Sequence, residues 1–287
     1  MARAKAIAVS AASLQEIRYT LRLPEKQDPR LRKSCRGSVA FNSHKSNRIA
    51  IDHFPCHPPQ KKAFVLELYS YYRSTASYRV RLALLLKNIP YVYKSVSKLR
   101  TGESNFTAEF SKINPQKMVP TLIDGQAVIS QSLAIIEYLE ECYPQPALLP
   151  KDSLARAYSR QIALLIACDI HPLNIKRVRQ YLTSPMSHND SEKMDWYRHW
   201  VDEGLTAIES LLVNSKFRGS FCHGDEPTIA DLFLVPQVYN AERFGCPLEP
   251  YTTICQVYEV CMSHSAFIAA QPHLQPDVLE YSPDDEY

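Results

Sequence analysis

Short apolar runs and amphipathic stretches alternate between residues 63 and 145. Val65 to Tyr69 supply the run of a buried strand. Val80, Leu82, Ala83 and Leu84 to Leu86 recur at mixed three- and four-residue spacing and predict a helix over 75–88. A strand at 91–96 and a helix at 104–112 follow. Two short strands near 120–123 and 127–129 flank Asp124-Gly125, a pair suited to a tight turn. A helix over 131–142 closes the unit. From Ser153 onward the pattern is helical throughout, with apolar residues at 3.6 spacing over 153–182, 190–214, 228–240 and 252–270. The stretch from Gln271 to Tyr287 is acidic, contains proline and is expected to fray.

The β-α-β-α-β-β-α order predicts one mixed sheet with helices on both faces, an α/β thioredoxin-like domain over residues 63–144. A Pro-rich linker at 145–151 leads to an all-α domain at 152–278, and 279–287 read as a flexible acidic tail. Residues 1–62 look foreign to this plan. They are basic, rich in Ser and Pro, and weakly periodic, with one candidate helix from Ala4 to Arg22. We read them as a dispensable tail. A transit peptide is an alternative, and so is an internal translation start near Val65 or Leu66.

Charge sharpens that division. Residues 1–60 hold 11 Lys/Arg and 4 Asp/Glu, a net +7, so the overall +3 leaves 3 − 7 = −4 for the remainder. A basic tail on a mildly acidic body argues against a nucleic-acid-binding domain. No apolar run approaches the roughly 20 residues of a membrane helix. The eight cysteines include no CxxC pair, and we expect free thiols in a reducing cytoplasm. His53-Phe-Pro-Cys56-His57 has no partner pair at ligand spacing, so no metal site is expected.

Two helix starts carry distinct chemistry. Ser74, Thr75 and Ser77 crowd the beginning of the first predicted helix. Unpaired backbone N–H groups and a partial positive charge there suit an anion, a thiolate among the candidates. Thr228 and Asp231 form a capping box, a folding device for which Asp231→Ala is expected to cost on the order of 1–2 kcal/mol.

Several separated blocks then resemble the zeta class of glutathione transferases, which includes the maleylacetoacetate isomerases. They are Arg73-Ser-Thr-Ala-Ser-Tyr-Arg-Val-Arg-Leu-Ala-Leu, Asn114-Pro-Gln-Lys-Met-Val-Pro-Thr-Leu122 and Gln131-Ser-Leu-Ala-Ile-Ile-Glu-Tyr-Leu139. Cys168-Asp-Ile-His-Pro-Leu-Asn174 and the run from Pro227 to Phe244 complete the match, which covers roughly 65–278.

The resemblance implies glutathione as the cofactor. Ser74 would stabilise its thiolate, with Thr75 and Ala76 beside it. Met118-Val119-Pro120-Thr121 would hold a cis proline that lets the Val119 backbone pair with the cysteinyl unit. Gln131 and Ser132 would take the γ-glutamyl carboxylate, Asn105 the glycyl end, and His171 would reach across from the helical domain. Arg243, joined by Arg73 and Arg177, would bind a small dicarboxylate substrate, whereas Lys176 and Arg179 read as surface charges. Ala76 stands where many relatives carry cysteine, and Ile175 where Asn is common. The activity implied is glutathione-dependent cis–trans isomerisation of maleylacetoacetate in tyrosine and phenylalanine catabolism, by a cytoplasmic homodimer that binds neither membrane nor nucleic acid. Alternatives are maleylpyruvate isomerisation, general glutathione transfer, α-haloacid dehalogenation and non-enzymatic glutathione binding.

Overall fold

Leu66, Leu68 and Ser70 of β1 (Leu66–Ser70) point into the main core, while Tyr69 on the opposite face meets Phe110 at 5.3 Å. That alternation places β1 at the centre of a four-stranded sheet in the computed structural model, which describes residues 65–96 and 104–280. The sheet order is β2-β1-β3-β4. β2 (Tyr91–Ser95) runs parallel to β1, with Leu66 opposite Tyr91. β3 (Thr121–Asp124) pairs antiparallel on the other side, and β4 (Ala127–Ser130) returns along it through a tight turn at Gly125, whose φ is +60°.

α1 (Thr75–Leu86) and α3 (Ser132–Cys142) pack on the Leu66 and Leu68 side of the sheet. α2 (Ser104–Ile113) contributes Phe110 to a smaller core on the other side, with Tyr71, Tyr72 and Val96. The expected mixed sheet covered on both faces is therefore present. The expected cis bond at Val119-Pro120 is also present, and a second cis bond precedes Pro146.

Among the described residues seven further α-helices follow: α4 (Ser153–Leu164), α5 (His171–Asn174), α6 (Lys176–Thr183), α7 (Asp190–Val213), α8 (Ile229–Arg243), α9 (Thr252–Ser263) and α10 (Ser265–Ala269). α8 is buried along most of its length and packs against both α1 and α4, which joins the helical layer to the sheet domain. Arg160 of α4 reinforces the join by gripping Glu137 of α3 through two bonds of 2.6 and 3.0 Å.

The single helix expected over 153–182 is broken twice. Leu165–Ile170 form a π-helical turn just before Pro172, whose missing N–H cannot continue the ladder. Ile175 then adopts extended backbone with ψ 157°, and α6 begins on a new phase. The helix expected over 252–270 is likewise divided at His264, which is extended and caps α10 by accepting from the Ala266 N–H at 3.2 Å.

The expected fraying from Gln271 stops short of the observation. Pro272–Leu274 and Pro276–Glu280 form two 3-10 turns. The buried Asp277 carboxylate accepts from the Tyr72 N–H at 3.1 Å and the Tyr93 hydroxyl at 2.7 Å. The readings made for residues 1–62, including His53, Cys56 and His57, lie outside the described residues, as does the tail beyond 280. Among the described residues no helix is long and apolar enough to cross a membrane, and no group of three or more His, Cys, Asp and Glu could hold a metal.

Candidate functional site

Ser74 is the N-cap of α1, and its Oγ accepts from the Ser77 N–H at 3.1 Å. That bond fixes the oxygen and leaves the hydroxyl proton to donate elsewhere. Thr75 follows, with its Oγ1 3.0 Å from Nδ1 of His171 in the helical domain. Burial and the Arg79 cation push the His171 pKa down to about 3, so its imidazole is neutral at ordinary pH. Ser77, a candidate neighbour from sequence, is fully buried and cannot meet a ligand.

A cavity of about 340 Å³ opens over this helix start. It gathers Arg73, Ser74, Thr75, Ala76, Val119, His171, Arg177 and Arg243, eight of the eleven residues proposed from sequence for the site. Val119 is presented by a loop that Asn114 braces: its Nδ2 donates to the Met118 carbonyl at 2.8 Å and to Thr121 Oγ1 at 3.0 Å.

Gln131 and Ser132 do not line this cavity. Gln131 lies just before α3 at φ +73° and ψ 119°, a backbone state that a side chain rarely adopts and that clusters at ligand-binding positions. Its Nε2 donates to Gln116 Oε1 at 2.9 Å. Ser132 opens α3, buried, with its Oγ accepting from Arg79 Nη1 at 3.3 Å. Asn105 belongs to α2, but its side chain lies outside the described residues.

The cavity lining is strongly cationic. Arg73, Lys117, Lys176, Arg177, Arg179 and Arg243 all line the cavity, and among the described residues no Asp or Glu does. Lys176 and Arg179, expected as surface charges, both line the cavity. The Arg179 guanidinium lies 4.5 Å from the Phe244 ring centre, and that of Arg243 lies 5.0 Å from the same ring. Each guanidinium is thus within the range of cation–ring attraction to the same phenyl group. Lys117 was missed because it sits in a loop at φ +57°, with no periodic signal to place it. Asn240 and Phe244 were missed as well, although both fall in the run from Pro227 to Phe244 that the resemblance singled out.

The arrangement can do two things. The α1 start offers backbone N–H groups and a hydroxyl proton to one anion. The cavity lining also offers guanidinium groups, which bind carboxylates in bidentate fashion.

Comparison with known proteins agrees. The family model described as "Glutathione S-transferase, N-terminal domain" matches residues 68–147. A probable maleylacetoacetate isomerase of Vibrio cholerae serotype O1 is 45% identical over 212 residues, covering 74% of this chain and 98% of the relative. The holo structure of a maleylpyruvate isomerase, a bacterial glutathione S-transferase of the zeta class, is 42% identical with a TM-score of 0.70, covering 74% of this chain and 99% of that one. A maleylacetoacetate isomerase from Anaeromyxobacter dehalogenans, solved with GSH in its active site, is 41% identical with a TM-score of 0.66, covering 74% and 97%. The same enzyme has been solved with dicarboxyethyl glutathione and citrate, at 38% identity and a TM-score of 0.67, covering 79% and 99%. By these measures the chain belongs to the zeta class of glutathione transferases.

Proposed function

We propose that the protein is a glutathione-dependent cis–trans isomerase that converts maleylacetoacetate to fumarylacetoacetate in the tyrosine and phenylalanine catabolic route. One observation carries the reading: a hydroxyl-bearing helix start and six cationic side chains share a single cavity, with no acid beside them among the described residues. The residues fit glutathione. The α1 start and Ser74 suit its sulfur, the Val119 loop its backbone, and the α3 start with Gln131 and Ser132 its γ-glutamyl carboxylate. The structure of a relative with GSH in its active site supports the same reading.

When bound, glutathione supplies a thiolate nucleophile, whose addition to the cis double bond and later departure permit rotation about it. Ser74 donates its hydroxyl proton toward the sulfur, and the α1 N-terminus adds its positive end; both favour the charged form. Thr75, held by the neutral His171, fixes the interface beside it. Arg243 and Arg179 hold the substrate carboxylates and offset the negative charge that develops on its carbonyl. Ala76 lines the cavity beside Ser74 and Thr75 and brings no thiol of its own to that position.

Maleylpyruvate, a shorter dicarboxylate, fits the same charge pattern, and a relative of that name shares the fold. Steady-state kinetics on both substrates, with wild type and Ser74→Ala, test the reading. We expect turnover of maleylacetoacetate with the higher kcat/KM, lowered about tenfold or more in Ser74→Ala by loss of a hydrogen bond to a charged group. An unaltered rate in that variant would remove the role given to the hydroxyl. Retention on a glutathione column without turnover would point to a binding protein.

The reading includes a homodimer, which follows from the family rather than from any surface feature, and sedimentation at twice the 32.8 kDa chain mass tests it. A cytoplasmic location accords with the free cysteines among the described residues.

A further inference from the structure

α1 carries two buried arginines two positions apart, and their surroundings differ. Arg81 is fully buried and saturated: Nε and Nη2 donate to the Ala270 carbonyl, Nη2 also to the Tyr72 carbonyl at 3.1 Å, and Nη1 to Ser70 Oγ and the Tyr71 carbonyl. It ties the first helix to the last and is explained by folding. Arg79 is 2% exposed and makes one hydrogen bond, from Nη1 to Ser132 Oγ at 3.3 Å. Its Nε and Nη2 have no hydrogen-bond partner among the described residues. Its guanidinium lies over Phe233, 4.4 Å from the ring centre, and no described carboxylate pairs with it. A buried cation with most donors unmet is strongly unfavourable for the fold alone, and a well-packed apolar side chain would serve stability better.

We propose that Arg79 is a positioning residue for the γ-glutamyl carboxylate of glutathione, acting through the Ser132 hydroxyl at the start of α3. This rests on the proposed use of glutathione. Ser132 Oγ already accepts from Arg79, so its one proton must be donated elsewhere. The open side is the first turn of α3, where backbone N–H groups lack helical partners. A carboxylate arriving there meets an aimed hydroxyl, the free amides and, behind them, the cation that lacks a counter-charge. The eleven-residue helix and the strained Gln131 backbone present this corner, while Arg79 stays out of reach of solvent. The same guanidinium helps hold His171 neutral, so one buried charge reaches toward both domains' contributions to the site.

The test is a discrimination ratio. Binding of glutathione and of γ-aminobutyryl-cysteinyl-glycine, which lacks only the α-carboxylate, is measured by calorimetry on the full chain. Wild type is expected to prefer glutathione by about tenfold or more. Arg79→Met should bring the two affinities together while the unfolding temperature holds or rises. Ser132→Ala should lose the same preference, and the double variant should lose no more than either. Arg79→Lys should recover part of it. A merely structural Arg79 predicts equal weakening of both ligands together with a lower unfolding temperature, and that result overturns the proposal. So does a wild-type ratio in Ser132→Ala, which carries the test if Arg79→Met does not fold. If wild type binds neither compound, glutathione use itself is wrong and the proposal falls with it, an outcome visible before any variant is made.

Discussion

Replacing Asp231 with alanine probes how the helical domain is held. The carboxylate is fully buried at the third position of α8. One oxygen accepts from the Thr228 N–H at 2.8 Å and the Thr228 hydroxyl at 3.0 Å; the other accepts from the Cys222 N–H at 2.8 Å. Burial raises its pKa despite those donors, so the ionised group is itself unfavourable where it sits. Alanine removes that penalty but orphans two backbone N–H groups. Thr228 and Cys222 are 5% and 0% exposed, so water cannot replace the lost acceptor.

The orphaned donors outweigh the relieved charge. Each costs about 1–3 kcal/mol, and breaking one side of a buried charged network typically costs about 3–5 kcal/mol. We therefore expect a loss of about 3–5 kcal/mol, above the 1–2 kcal/mol of an ordinary cap that sequence suggested. At roughly 2–4 °C per kcal/mol for a body of this size, the melting midpoint should fall by about 6–20 °C. Thermal unfolding followed by circular dichroism at 222 nm measures it. Asp231→Asn should fall between, since its amide keeps one acceptor but turns a donor toward the other N–H groups. A midpoint within about 2 °C of wild type would refute the reasoning.

Three further outcomes follow from the site. Arg179→Ala should raise KM for the dicarboxylate about tenfold with KM for glutathione unchanged, because a charge-assisted bond is lost at the cavity wall only; equal changes in both constants would sink the assignment. His171, with its pKa held near 3, contributes stability in full above its unfolded value of about 6.5 and loses it as pH falls from there toward 3. His171→Gln should accordingly flatten the decline of the melting midpoint with acid across that window, and an equally steep decline would contradict the burial argument. Deleting residues 1–62 should leave kcat/KM intact, since 212 residues of this chain already span 98% of a related isomerase; lost activity would overturn this.

The sheet domain was legible because its signals are local. The apolar run before Ser70, the helix after Ser74 and the Asp124-Gly125 turn each specify one element, and every bound lies within two residues of expectation. The helical domain was less so, because period alone does not reveal where a helix loses phase. Pro172 widens the turn before it, and extended Ile175 restarts the chain, so Lys176 to Arg179 face a different direction from that of one continuous helix. That re-aiming brings Lys176 and Arg179 to the cavity. Asp277 was unreadable for another reason: its partners, Tyr72 and Tyr93, lie about two hundred positions away.

Neutral and charged groups of the cavity divide the electrostatic work, and the division fixes the pH response. Around the sulfur position the groups are neutral: the Ser74 and Thr75 hydroxyls, and an imidazole kept uncharged by burial and by Arg79. The cavity also presents arginines, and a guanidinium group is charged at any physiological pH. Substrate binding through guanidinium groups should therefore not titrate between about pH 6 and 9. The thiol of the bound peptide ionises in that range, from a reference near 8.5 lowered by Ser74 and the helix start. The profile of kcat/KM should rise along a single limb and level off, with no histidine limb near 6.5. Ser74→Ala should move that limb upward by about one unit, because one unit corresponds to about 1.4 kcal/mol, the size of one hydrogen bond to a charged group. A limb at the same pH in both enzymes would mean that the amides of α1, rather than the hydroxyl, set the thiolate, and the rate loss in the variant would then reflect misplacement of the sulfur alone.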